Sequence, residues 1–396
     1  MTETEFFEQI LGIEEIRVDR VDWQERALHI YCSSMLEEAL CPHCLNKRQV
    51  VHQTYERQFR DLPITGKEVY LHLSQRQFYC PDCDRHFNER FSFVDPKRTM
   101  TRRYERYVYE CCKASTIQKI SAQENLAWHT VNELCQRGSC KELDERPVAS
   151  VRVVGMDEFA IKKGHRDYAT VIVDLERVEI VDILEYRNQE KLIEYFKNRG
   201  ADWCGGIEVF CSDMWQGFLN TAKAVFPNAT LVVDRFHFFG YLNKALDNER
   251  KRLRRQFKDR DEFKRLKWAL LKNAEDLTDD QKKKLARAFL LAPHLRLLYE
   301  HKEKFRSLFD QRLTRKQGEI ELNRWIEQAN KIKNKYLNNF LYMLNEWKEY
   351  ALNYFSHRFT TSVIEGVNNT IKTVKRMGYG FRNFVNFKQR ILISFA

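Results

Sequence analysis

Apolar positions along this chain change their period several times, and each change marks a new kind of element. Ala27 to Cys32 reads as a strand, and Glu68 to Phe78 sets Val69, Leu71 and Leu73 at alternate positions, the spacing of a half-buried strand. From Met100 the period lengthens. Tyr104, Val108 and Cys111 recur at helical spacing, and Thr116 to Ile120 and Ala127 to Cys135 continue it, predicting three short helices. Arg137 to Ser150 (RGSCKELDERPVAS) is polar, holds a Gly and a Pro, and reads as a linker. At Val151 the texture turns to β: Val151 to Gly155 runs into Asp157, followed by Tyr168 to Asp174 and Val178 to Leu184. Gln189 to Arg199 has a helical face in Leu192, Ile193 and Phe196. Ile207 to Cys211 is a short strand ending at Asp213, and Leu231 to Val233 is another ending at Asp234. The order is β-β-β-α-β-α-β. From Tyr241 to about Tyr354 the period is helical throughout, with Pro293 the only proline, which predicts a long all-α insertion before the final segment.

These patterns divide the chain, whose 396 residues are too many for one ordinary domain. The expected units are residues 1–95, 96–140, a linker at 141–150, an α/β part at 151–240, the helical insertion at 241–354, and a closing helical part at 355–396. A mean hydropathy of −0.60 without any 18-residue apolar run argues against a membrane span, and a 43% hydrophobic content argues against wholesale disorder. The first residues, MTETEFFEQILGIEEI, lack the basic-then-apolar order of a signal peptide, so nothing marks the chain for export. The 67 Lys and Arg against 56 Asp and Glu leave a net charge of +11. That charge suits a polyanionic partner, and a solvated basic surface accounts for it equally well.

Eleven cysteines are an odd count for a disulfide framework, and four of them form two Cys-x-x-Cys pairs. Two intervening residues let a tight turn set both sulfurs about 2.3 Å from one zinc ion. Cys41, Cys44, Cys80 and Cys83 supply the four ligands of a structural Zn²⁺ site, so residues 1–95 are expected to hold a zinc ribbon or knuckle. Redox-active or merely buried thiols are the alternative. His43 and His86 are read as surface or supporting residues.

After the cysteines, Ile117 to Ser121 followed by Leu126 to Val131 has the cadence of a helix-turn-helix. Trp128, His129 and Asn132 are its groove-facing candidates, and Arg102, Arg103 and Arg106 suit phosphate contacts. Three-helix bundles that never touch DNA share this cadence.

Phosphodiester cleavage by paired divalent metals needs carboxylates converging on one sheet edge. Asp157 and Asp213 are each expected just past an apolar strand, and in a ribonuclease H-like sheet the first and fourth strands are neighbours. A third acid should come from a helix packed across that sheet. From Ser356 to Ala396 there are seven Lys or Arg and one acid, Glu365. On a helix Glu365, Asn368, Asn369 and Lys372 share one face, with Lys375 and Arg376 just beyond and Arg382 further on as cations for phosphates. The alternative is a solvated Glu365 with two strand-end aspartates acting as caps. In the insertion, Arg250-Lys-Arg-Leu-Arg-Arg255 would hold a flanking duplex or form a solvated helix face.

Gly155-Met-Asp-Glu-Phe-Ala160, Ser212-Asp-Met-Trp-Gln-Gly217, Asp234-Arg-Phe-His237, Ser362-Val-Ile-Glu-Gly-Val-Asn-Asn369 and Lys375 to Asn383 resemble bacterial insertion-sequence transposases of the ISL3 family. The resemblance spans nearly the whole chain, including the zinc knuckle and helix-turn-helix. It implies a DDE transposase with a ribonuclease H-like core interrupted by the all-α insertion, in which Asp157, Asp213 and Glu365 match the metal-binding acids. It also implies that Asp234 and His237 match an Asp-x-x-His pair that shapes the active site or contacts distorted DNA, a buried capped histidine being the other possibility. Ser362-Val363 departs mildly from the small pair expected before the third acid.

The function expected from this reading is binding of the element's terminal inverted repeats, Mg²⁺- or Mn²⁺-dependent strand cleavage and strand transfer, with no covalent enzyme intermediate. The expected partners are double-stranded DNA, both transposon ends and target, and a second copy of the chain in a dimer or larger assembly; no membrane is involved. A cytoplasmic, nucleoid-associated location follows. Two rivals stand beside it: a catalytically silent, sequence-specific DNA-binding regulator, and a nuclease or resolvase that cuts without joining.

Overall fold

The computed structural model describes residues 1–145, 150–161, 167–257, 261–378, 381 and 383–395. They fall into two compact units, one of Met1–Arg146 with Val374–Ser394 and the other of Pro147–Thr373.

In the first unit, helix Glu3–Leu11 opens with a capping box between Thr2 and Glu5. Strands Ile16–Trp23, Ala27–Ser34, Lys67–Cys80 and Val51–Ile64 then lie side by side in that order, with Arg85–Asn88 paired to the end of the third. Alternation buries Leu28, Ile30, Val69, Leu71 and Leu73 on one face, against Phe7, Leu11, Phe59 and Phe91. The strand Ile16–Trp23 goes beyond the sequence reading because its Arg-Val-Asp-Arg-Val-Asp pattern leaves only Ile16 and Val18 buried.

Three helices follow, Arg102–Ala114, Ile117–Glu124 and Trp128–Asp144, the first two capped by Thr101 and Thr116. Asn125 in the left-handed region ends the second and starts the tight turn. The third helix runs through the stretch read as a linker from Arg137. Gly138 sits inside it because a Cβ there would meet the Tyr109 ring at 2.4 Å, so this glycine serves helix packing. Residues 146–149 of the expected linker lie outside the described residues.

A fourth helix, Phe384–Ile393, joins this bundle, although residues 355–396 were read as one part of the α/β core. Its Ile393 is buried with Tyr104, Val108 and Val131, Asn386 accepts from Gln136 at 3.0 Å, and Arg390 donates to the Ser115 carbonyl. Burying an isoleucine in an existing apolar core outweighs sequence distance.

The second unit contains a five-stranded sheet. In space its strands run Glu179–Leu184, Tyr168–Asp174, Val153–Ala160, Val209–Ser212, Thr230–Val233. The first three are antiparallel neighbours and the last three parallel ones. Helices Gln189–Arg199 and Gln216–Val225 connect them. Asp157 lies within its strand, opposite Val171, rather than past its end. The helical insertion starts at Arg235, earlier than its apolar period shows, because Asp234 caps helix Arg235–Gln256 directly after the last strand. Its later helices include Pro293–Asp310, with the proline in the first turn where its missing N–H costs nothing, then Arg315–Asn330 and Lys335–Glu346. No helix is long and apolar enough to cross a membrane among the described residues.

Candidate active site and zinc site

Four strands of the sheet, Val153–Ala160, Glu179–Leu184, Val209–Ser212 and Thr230–Val233, run in one direction. Their C-terminal ends therefore share one edge, which carries Asp157 with Glu158, Arg187, Asp213 and Asp234. Met156 pairs with Ser212, so Asp157 and Asp213 occupy equivalent places on adjacent parallel strands. The 55 residues between them vanish in this register.

Burial pushes the Asp157 carboxyl up to about 6, and the nearby Asp213 charge adds to the rise. The backbone N–H of Glu158, donating at 2.8 Å, and His237 oppose it. Burial raises Asp213 as well, against His237 and the Trp215 N–H at 3.1 Å. Burial is the first cause of both shifts, and a cation at this edge would offset the cost of ionising the two carboxyls.

Helix Ser362–Met377 packs on the same strand. Its buried Ile364 comes so close that a Cβ on Gly155 would lie 2.7 Å from the Ile364 side chain, and Asn368 Nδ2 donates to Asp157 Oδ2 at 2.9 Å. At about 100° per residue, Asn368 lies roughly 40° around the helix from Ile364 and Glu365 about 60° beyond it. Glu365 thus projects, exposed, one turn from the residue that touches Asp157. The face read from sequence is split: Asn368 turns inward, while Asn369 and Lys372 stay outside, joined at 3.3 Å.

Asp234 fixes the start of this arrangement. It is 2% exposed; Oδ1 accepts from Phe236 N at 2.8 Å, and Oδ2 accepts from the Thr361 N–H and hydroxyl at 2.8 and 2.5 Å. Thr361 O in turn accepts from Glu365 N at 3.0 Å. His237, half-buried one turn into the helix that Asp234 caps, acts electrostatically on both aspartates. Sequence reasoning missed Thr361 and Arg187. The order of strands would have pointed to Arg187, since it follows the third strand pointing to this edge.

Among the described residues, one group of ligand atoms lies within 4.8 Å throughout, and it is the four sulfurs of Cys41, Cys44, Cys80 and Cys83. The Cys41–Cys83 and Cys44–Cys80 sulfurs are 3.9 and 3.5 Å apart. A tetrahedral zinc site with 2.3 Å bonds has edges of about 3.8 Å, so the cluster fits zinc. Arg48 donates to the Cys80 sulfur at 3.4 Å and pairs with Asp82, supporting the second knuckle. The three acids of the sheet edge do not gather this tightly.

Of the expected DNA contacts, Trp128 and His129 are exposed and Asn132 half-buried on the third helix of the bundle. Arg106 is exposed, and Arg102 is exposed but paired with Asp95 at 2.7 Å. Arg103 is engaged internally: it clamps Asp61 and donates to the Leu11 carbonyl. Lys372 and Arg376 are exposed, while burial lowers the Lys375 amine; Arg382 lies outside the described residues. In the insertion, Arg250 is buried against Asp247, Lys251 shares that acid, and Arg252 pairs with Glu249. Three of the five cations therefore hold their own helix, leaving Arg254 and Arg255 exposed.

The chain is similar to known proteins over its whole length. The family model of ISL3 DDE transposases, described as a transposase, matches residues 154–391. A zinc finger of the IS204/IS1001/IS1096/IS1165 transposases matches 37–83, and the helix-turn-helix domain of transposase family ISL3 matches 89–138. The transposase for insertion sequence element IS1001 of Bordetella parapertussis is 30% identical over 100% of this chain and 99% of its own length. The transposase for element IS1557 of Mycobacterium tuberculosis (strain ATCC 25618 / H37Rv) is 25% identical over 83% of this chain and 79% of its own length.

Proposed function

Because this chain belongs to the ISL3 family of DDE transposases, we propose that it binds the terminal inverted repeats of its own element and cleaves and joins DNA strands at Asp157, Asp213 and Glu365. The observation that carries this is the pairing of Asp157 with Asp213 on adjacent parallel strands beneath the helix bearing Glu365. The mixed strand order, three antiparallel then two added in parallel, supports reading the sheet as a ribonuclease H-like core.

Asp157, Asp213 and Glu365 are the residues that would hold divalent ions, and an all-oxygen donor set suits Mg²⁺ or Mn²⁺. Such ions, when bound, activate the attacking oxygen and steady the leaving one. Asn368 orients one oxygen of Asp157 and leaves its partner oxygen to the Glu158 N–H side. Asp234 holds Thr361, and through it the first turn that carries Glu365. His237 brings a ring nitrogen donor near both aspartates. In the other unit, structural zinc on Cys41, Cys44, Cys80 and Cys83 sets the ribbon; Trp128, His129 and Asn132 face the major groove, and Arg102 and Arg106 meet phosphates. Lys372 follows the DNA on the helix of the third acid, and Lys375, Arg376 and Arg382 are further phosphate contacts. Joining two ends calls for at least two copies of the chain on the DNA.

The test is incubation of purified protein with labelled terminal DNA and Mg²⁺, comparing wild type with Asp157→Asn. Nicked and joined products from wild type alone are expected. Equal product from both, or tight end binding with no product from either, contradicts the proposal, the latter outcome being that of a silent regulator.

A further inference from the structure

We propose that Arg187 grips a DNA backbone phosphate beside the bond to be cut, so that the strand enters the acid-bearing edge over a platform made by Tyr168 and Trp215. This rests on the reading of that edge as the cleavage site.

Arg187 lies in the short turn between strand Glu179–Leu184 and the helix capped by Asn188. Its guanidinium carbon stands 4.4 Å from the Tyr168 ring centre and 5.5 Å from that of Trp215. One nitrogen, Nη1, pairs with Glu158, the neighbour of Asp157. Its other guanidinium nitrogens make no hydrogen bond among the described residues, and the side chain is 41% exposed. It is also close enough to Asp213 for its charge to be felt there.

The platform is built rather than incidental. Trp215 follows Asp213 by two residues, and its ring lies over Gly217, where any Cβ would be 2.3 Å from the ring. Phe218 meets the same ring edge-on at 4.7 Å. Tyr168 begins the strand paired to the end of Asp157's own strand, opposite Ala160. Three elements thus converge to hold one exposed cation in a fixed orientation.

Electrostatics says what that cation is for. Asp157, Glu158, Asp213 and Glu365 make this edge strongly anionic, which repels a DNA strand. A guanidinium that already cancels Glu158 and still offers a free fork lowers that barrier at one point. A planar fork that stacks on rings while binding two phosphate oxygens is a property of arginine that lysine lacks. A surface ion pair to Glu158 alone would contribute little to stability and would not need two aromatic supports.

The experiment uses full-length protein and terminal DNA duplexes that each carry one uncharged methylphosphonate at successive positions around the cut, read as single-turnover cleavage. Wild type should slow at one or two adjacent positions. Arg187→Ala should cleave unmodified DNA about 10- to 100-fold more slowly, as expected for losing a charge-assisted contact to the reacting strand, and should lose its sensitivity at those same positions. Arg187→Lys, which disturbs packing less, should fall between. If Arg187 only neutralises Glu158, the double variant Arg187→Ala/Glu158→Gln regains the wild-type rate, and that recovery overturns the proposal. So does an unchanged methylphosphonate profile in Arg187→Ala. Asp157→Asn separates the two readings: undiminished cleavage there defeats the active-site assignment itself, whereas its loss alongside an unaltered Arg187→Ala defeats only the phosphate contact.

Discussion

Residue by residue, the proposed site rests on two aspartates that burial pushes toward neutrality. Asp157 has its carboxyl raised to about 6, first by burial and then by Asp213. A folded-state value above the unfolded one favours the protonated fold, so this contribution to stability is present at low pH and is lost as pH rises through about 6. Metal-free protein should therefore lose about 1 kcal/mol between pH 5 and pH 7.5 on account of Asp157 alone, and Asp157→Asn should flatten that part of the melting-temperature profile. A variant profile parallel to that of wild type would contradict the burial argument. Bound divalent ions compete with the same proton, so half-saturating Mn²⁺ should rise as pH falls below 6. The proposed acids stand out in the sequence because Asp157 and Asp213 follow apolar runs and Glu365 stands alone in a basic segment. Arg187 does not, since an arginine in a polar turn has no signature until strand order shows which edge it shares. The same holds for Arg103, whose engagement by Asp61 depends on a contact 42 residues back in the chain.

Among the elements, those with a single strong period were read nearly to the residue. Tyr168–Asp174 and Gln189–Arg199 are found with the expected ends. Errors cluster where tertiary contacts override local composition. Gly138 and the polar run after it looked like a linker, yet the helix continues to Asp144 because the glycine lets Tyr109 approach. Helix Phe384–Ile393 gives no local sign that it belongs with the helix-turn-helix, because Ile393 finds its core more than 250 residues away in sequence. That packing makes a prediction. Ile393→Ala should destabilise the first unit by about 2 to 4 kcal/mol, the range for truncating a buried isoleucine, and weaken binding to terminal DNA. Melting followed by tryptophan fluorescence, beside a binding titration, checks it; an unchanged melt would mean that the fourth helix is not part of the bundle.

In the whole molecule, one unit carries the four-cysteine cluster and the four-helix bundle, and the other carries the sheet whose edge bears Asp157 and Asp213. The expected division of the chain rests on changes of period at Met100, at Val151 and again in the insertion. What the sequence withheld is the return of the last helix to the first unit, a long-range contact that no local pattern encodes. The net charge of +11 is spent unevenly: much of the basic run at Arg250–Arg255 is consumed in ion pairs, while cations near Glu365 remain exposed. The proposed chemistry requires Glu365 to share divalent metal with Asp157 and Asp213. Replacing it by cysteine tests this most directly, because a thiolate is a poor ligand for Mg²⁺ and a better one for the softer Mn²⁺. The measurement is cleavage of terminal DNA by Glu365→Cys in each metal: the account predicts no product in Mg²⁺ and recovered product in Mn²⁺, and cleavage in Mg²⁺ at the wild-type rate would contradict it.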